Sequence, residues 1–323
     1  MCLADCVAMK SSIRVFLFLA MLTMGIGFTL ISRINTSQST FATTDSYDNA
    51  PSLDRNTNRT HATIVTCYFK MDSKHSHDEY LRWMTNMLSL SDNMVIFTTE
   101  DMRPTILELR AKLSTGKTKV ITMTLQDTLM AKTYDANFWE HQFSLDPEKH
   151  KQHKSIDHSL YQVWNEKTNF LQTAAHLNPF GSEFFAWVDI GYFRTTTYNH
   201  QIMLDVIPHT LHRNQVLMLN VTRLVDGKGY IGGGFIGGYA EGIKRWHHLY
   251  YDNIKKHGKK LSTTFIGKDQ PIMYQTCQET PGLCLLVEPP DGVGVGDPWF
   301  FMAPYLNKVT GPQLQGLGGL PNL

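Results

Sequence analysis

Four groups of residues in this sequence have types and spacings from which chemistry could be built. The stretch "FFAWVDIGYFR", residues 184 to 194, places one acid, Asp189, at the end of an apolar run and follows it with Gly191. Phe184 to Val188 read as a strand buried on both faces, so the carboxylate should emerge at the strand's carboxyl end. There Gly191 permits a tight turn or close approach by a ligand. A carboxylate so placed could bind a divalent cation through oxygen, and such a cation commonly also holds a substrate diphosphate. The plain alternative is an Asp that hydrogen-bonds its own turn. Lys167 falls on one helix stripe with Leu160, Trp164, Leu171 and Ala175. It must snorkel out of that stripe or meet an anion, either a phosphate or Asp189 itself.

The third group is "YIGGGFIGGY", residues 230 to 239, with Gly233 and Gly234 at its centre. A glycine cluster between a strand and a helix lets backbone approach a ligand closely, and a bulged hairpin is the rival reading. The fourth is "GKDQPIMY", residues 267 to 274. Pro271 suits a first helical turn, which puts Asp269 and Gln270 at the helix start. Asp269 then either caps the helix or orients or deprotonates a hydroxyl.

Other chemistries lose support. The glycine cluster lacks the G-K-[ST] of a phosphate-binding loop, no G-x-S-x-G elbow is present, and no paired C-x-x-C occurs. The histidines of "HSHD" (75 to 78) and "HKQH" (150 to 153) lack the accompanying pattern of a zinc site and read as solvated loops. Lys plus Arg, 30, nearly balance Asp plus Glu, 29, which argues against nucleic acid as a partner. Five cysteines are too few for a disulfide scaffold. Cys277 and Cys284 could bridge in an oxidising lumen or stay as buried thiols.

The elements that must position these residues follow from hydrophobic periodicity. Residues 62 to 69 read as a buried strand, 78 to 90 as a helix, 94 to 99 as a strand, 104 to 113 as a helix opened by a proline, and 119 to 125 as a third strand. This order predicts a mostly parallel sheet covered by helices, with ligands at the carboxyl ends of its strands. Residues 126 to 157 are expected to be an irregular insertion, and a helix from about 158 to 176 leads into the Asp189 strand. Ahead of this domain, residues 15 to 32 carry no charge and are flanked by Lys10, Arg14 and Arg33. They are expected to be a membrane anchor after a cytosolic tail of residues 1 to 14, with a cleaved signal peptide as the alternative. Residues 33 to 60 read as a flexible stem, 61 to 310 as the globular domain and 311 to 323 as a loose tail. Glycosylation acceptors stand at Asn35, Asn58 and Asn220. Together these features point to a single-pass Golgi or ER membrane protein whose C-terminal domain is lumenal.

The pieces "TIVTCYF", "YLRWMTNML", "MVIFT", Trp164 to Lys167 ("WNEK"), "FAWVDIGYFR", "GGGFIGG" and "DQ", in this order, resemble the HtrL/YibB family, grouped with glycosyltransferase-like proteins. The resemblance covers most of residues 62 to about 280. It implies a nucleotide-diphospho-sugar transferase fold of the GT-A kind, an α/β sheet with the donor at its switch point. It also implies a role for Asp189, since many such enzymes carry a D-x-D at this strand end that holds Mn²⁺ or Mg²⁺. Here only Asp189 of that pair is present, as Asp189-Ile190-Gly191, and residues 258 to 323 contain no late histidine. Asp297 or Asp291 could complete a metal site, or Lys167 and Arg194 could carry the phosphate charge without a metal. The donor-binding set implied is Lys167, Gly191, Arg194, Gly233, Gly234 and Gln270, with Asp269 and Asp189 as the catalytic acids. The expected function is transfer of a sugar from a nucleotide sugar to a glycan or glycoprotein. A non-catalytic lumenal protein that binds glycan or protein partners with the same fold is the alternative.

Overall fold

A computed structural model describes residues 62–150, 157–222, 230–258, 264–290 and 297–307. The anchor expected at 15–32, the stem, Asn35, Asn58, Asp291 and the tail at 311–323 lie outside the described residues. Among the described residues no helix is long and apolar enough to cross a membrane.

Short apolar runs between well-capped helices set the order of elements. β1 (Ala62–Tyr68) is buried throughout, and β2 (Asn93–Thr98) nearly so, as strands covered on both faces must be. Between them, α1 (His77–Leu88) opens on a capping box: Ser76 Oγ accepts from the Glu79 N–H at 3.3 Å, and Glu79 Oε2 accepts from the Ser76 N–H at 3.0 Å. α2 (Arg103–Leu113), with Pro104 in its first turn, leads to β3 (Thr118–Thr122). The stretch expected to be irregular is instead helical in two pieces, α3 (Leu129–Thr133) and α4 (Ala136–Leu145). The Thr128 and Asp135 side chains cap them, which is how helices this short begin without an apolar stripe.

α5 (Ser159–Leu177) ends on Asn178 in the left-handed conformation and feeds β4 (Phe184–Val188). After β5 (Val216–Asn220) the glycine-rich run forms β6 (Ile231–Tyr239). It is a central strand paired antiparallel with β4 and with the preceding β5, where a register shift opposite Met218 and Leu219 makes the pair a bulged hairpin, and it runs directly into α6. α6 (Ala240–Gly258), α7 (Asp269–Glu279) and β7 (Cys284–Val287) complete the layers. Cys277 and Cys284 are joined in a disulfide between α7 and β7, and Cys67 is a buried free thiol.

The seven strands lie in the order β3-β2-β1-β4-β6-β5-β7, and β6 alone runs against the others. The expected mostly parallel sheet is therefore present. Apolar layers cover both faces, one containing Met84, Met87, Phe184 and Val188, the other Phe170, Phe185, Trp187 and Trp246. The chain proceeds from β1 outward through β2 and β3, whereas β4 pairs on the opposite side of β1. That reversal opens a crevice at the carboxyl ends of β1 and β4, the place where open α/β sheets bind ligands.

Candidate active site

A single buried lysine organises this crevice. Lys167, on the core-facing side of α5, is 5% exposed. Its Nζ lies 3.1 Å from Asp189 Oδ1, 3.0 Å from Asp269 Oδ2, and donates to the Gly233 carbonyl at 2.9 Å. The expectation of an anionic partner is met twice over. Burial pulls the ammonium's pKa down, but Asp189 and Asp269 more than offset this and raise it. For Asp269, burial is the largest influence and raises its carboxyl, against the opposing pull of Lys167.

The two acids differ in their access to solvent. Asp189 sits just past β4, where Trp187 Nε1 donates to its Oδ1 at 2.8 Å, and its side chain is 41% exposed. Its Oδ2 has only a longer contact to Lys167, at 3.4 Å. Asp269 begins α7 with a side chain 6% exposed. Its contact to Lys167 is ionic and lacks the alignment of a hydrogen bond. A base for an acceptor hydroxyl needs an open oxygen, so the surroundings of Asp269 suit holding Lys167 rather than proton abstraction. Gln270 is engaged as well, its Nε2 donating to the Ile231 carbonyl at 2.9 Å.

The glycines act through what they leave out. Gly191 does not adopt a left-handed φ; a Cβ there would stand 3.1 Å from Trp83 Cε3, so the residue makes room for an aromatic wall rather than for an unusual turn. At Gly233 a Cβ would meet Asp269 Oδ2 at 3.0 Å, so its absence lets the start of α7 close on β6. Gly234 faces the Tyr192 ring.

Around this centre lies a cleft of about 430 Å³. Arg194 stacks on Trp83 at 4.5 Å and on Phe300 at 4.9 Å, while Lys74 lies over Trp164 at 5.3 Å. Among the described residues neither cation is in an ion pair. Lys268, also lining the cleft, is paired with Glu148 at 2.8 Å. No pattern in the sequence marks Lys74, Trp83, Lys268 or Phe300, because only the tertiary fold brings them to Asp189.

Two neighbours of Lys167 on α5 extend the same scheme. Asn165 Nδ2 donates to the Ile266 and Gly267 carbonyls at 3.2 and 3.1 Å, just ahead of Asp269. Glu166 accepts the Leu129 and Met130 N–H groups, both at 2.9 Å, at the start of α3. The run of five polar residues from Asn165 to Asn169 on this half-apolar helix is the sequence signal for these roles.

Among the described residues no group of three His, Cys, Asp or Glu side chains could surround a divalent cation. Asp297 lines the cleft, but its carboxylate caps a short turn by accepting from the Trp299 N–H at 3.0 Å. Asn220, the remaining sequon, ends β5 with its Nδ2 donating to Glu288 at 2.9 Å.

A family model described as "Bacterial protein of unknown function (HtrL_YibB)" matches residues 60–300. A search of curated proteins found no match. Among solved structures, core-mannan synthase A from Aspergillus fumigatus in a Mn/GDP form is 9% identical, with a TM-score of 0.46 over 72% of this chain and 74% of that one. Mouse xyloside xylosyltransferase 1 in its apo form is 13% identical, with a TM-score of 0.41 over 74% of this chain and 93% of that one. The PaToxG glycosyltransferase is 10% identical, with a TM-score of 0.36 over 68% and 70%. At such TM-scores these likenesses carry no conclusion about chemistry.

Proposed function

The chain belongs to the HtrL_YibB family, and we propose that it is a glycosyltransferase that takes a sugar from a nucleotide-diphospho-sugar and passes it to a glycan or glycoprotein. One observation carries this reading. The cleft at the sheet's switch point joins a half-exposed carboxylate, Asp189, to two cations lying on aromatic faces, Arg194 and Lys74, which are in no ion pair among the described residues. Aromatic faces accept a nucleobase or sugar ring, and the cations suit a diphosphate.

In this mechanism Arg194 and Lys74 hold the diphosphate and stabilise the negative charge that grows on it as the glycosidic bond breaks. Aromatic walls keep water from the reacting carbon. Trp187 and Lys167 fix the half-exposed Asp189 carboxylate at the cleft, where it faces the sugar or the incoming hydroxyl. Asp269 serves as a positioning residue for Lys167. Residues 15–32 anchor the chain in the Golgi or ER membrane, and the Cys277–Cys284 disulfide suits an oxidising lumen.

The test is turnover. The full-length chain is incubated with UDP-sugars and GDP-sugars and a mixture of glycan acceptors, and release of nucleoside diphosphate is followed. Acceptor-dependent release that falls by about a hundredfold in Asp189→Asn supports the reading. No release from any donor would contradict it and leave a non-catalytic binding role for the cleft.

A further inference from the structure

Lys167 Nζ is surrounded by four oxygens: Asp189 Oδ1 at 3.1 Å, Asp189 Oδ2 at 3.4 Å, Asp269 Oδ2 at 3.0 Å and the Gly233 carbonyl at 2.9 Å. The ammonium donates to Asp189 Oδ2 and to the Gly233 carbonyl and lies against Asp269 in an ionic contact, so these oxygens enclose it and turn it away from a substrate phosphate. Carboxylates from two different elements together with a backbone carbonyl are also the ligand types that a hard divalent cation takes. The cradle in which such an ion would be expected is therefore built around a side chain of the protein. A divalent ion bound to Asp189 would sit about 2.0–2.6 Å from one of its oxygens. Both oxygens already face the ammonium, so two like charges would meet in a partly desolvated site.

We infer that the Lys167 ammonium is the resident cation of this site, occupying the oxygen cradle that would otherwise recruit a divalent ion, so that the protein holds no metal at Asp189. The consequence for catalysis, a donor bound without a protein-held metal, rests on the transferase reading above. The occupancy of the cradle does not, and it can be tested without any nucleotide. Lys167 also differs from a metal ion in being permanent, so chelators do not strip the charge from the site.

Electron paramagnetic resonance of free Mn²⁺ decides the matter, with the full-length chain in molar excess and no nucleotide present. Wild type leaves the free-ion signal at its buffer intensity. Lys167→Met uncovers Asp189 and Asp269 and lowers the signal by more than half, and adding Asp189→Asn to that variant restores it. A wild-type chain that depletes the signal, with recovery in Asp189→Asn alone, would overturn the inference. That arm stands whether or not Lys167→Met folds, since it uses wild type and a substitution at a half-exposed position.

Discussion

At the scale of single residues, the site turns on Lys167, whose positive charge holds together two acids that would otherwise repel. Removing it strands Asp269, which is nearly enclosed, without a counter-ion. Lys167→Ala should therefore lower the unfolding free energy by about 3–5 kcal/mol in urea titrations, and adding Asp269→Asn should recover part of the loss. No recovery in the double variant would mean that the two residues are not coupled. Arg194 depends on its aromatic support in the same way. Trp83→Ala removes one of the two rings on which the guanidinium lies. Nucleotide affinity should then fall by about 2- to 30-fold, the weight of a cation–π contact, and an unchanged affinity would place the ligand elsewhere.

At the scale of elements, α5 ties the site to its surroundings. Asn165, Glu166 and Lys167 hold the loop before α7, the start of α3, and the carboxylates after β4 and at α7. A second clamp lies on the far side of the sheet, where the buried Asp92 carboxylate accepts the Met203 and Leu204 N–H groups at 2.7 and 2.9 Å. Burial pushes its carboxyl up to about 6, against the pull of those N–H groups and of Arg110. The folded state thus binds this proton more tightly than the unfolded chain does. Its contribution to stability is fully present below about pH 4 and is lost as pH rises through about 6. Wild type should lose stability relative to Asp92→Asn between pH 4 and pH 7, measured by denaturant unfolding; a constant or widening advantage would contradict this. The first three strands and their helices are legible in the sequence because apolar runs, a capping box and Pro104 act locally. The run "IGGGFIGGY" is not, because glycine has little strand preference of its own and packing decides its place. At Gly237 a Cβ would stand 2.8 Å from Phe184 Cζ, a constraint that exists only once β4 and β6 are paired.

At the scale of the whole molecule, the β1–β4 switch point and the acids of α7 and β4 make one site from segments far apart in sequence. Asp189, Lys167 and Asp269 can be named from the sequence, since Asp189 ends an apolar run, Lys167 falls on an apolar helix stripe and Asp269 stands at a helix start marked by Pro271. Their assembly into one ion cluster cannot, because it requires β6 to bring the Gly233 carbonyl beside α5 and α7. Nor can the placement of Lys74 and Arg194 on aromatic faces with no ion pair among the described residues, which depends on what the fold brings beside them. Whether the cleft is a nucleotide site that works without a protein-held metal is best decided by calorimetry. UDP and GDP are titrated into the full-length chain, wild type and Arg194→Ala, in the presence of EDTA. At least one nucleoside diphosphate should bind without metal, and Arg194→Ala should weaken it by about tenfold or more. No binding of either nucleotide, or an affinity indifferent to Arg194→Ala, would contradict this reading of the cleft.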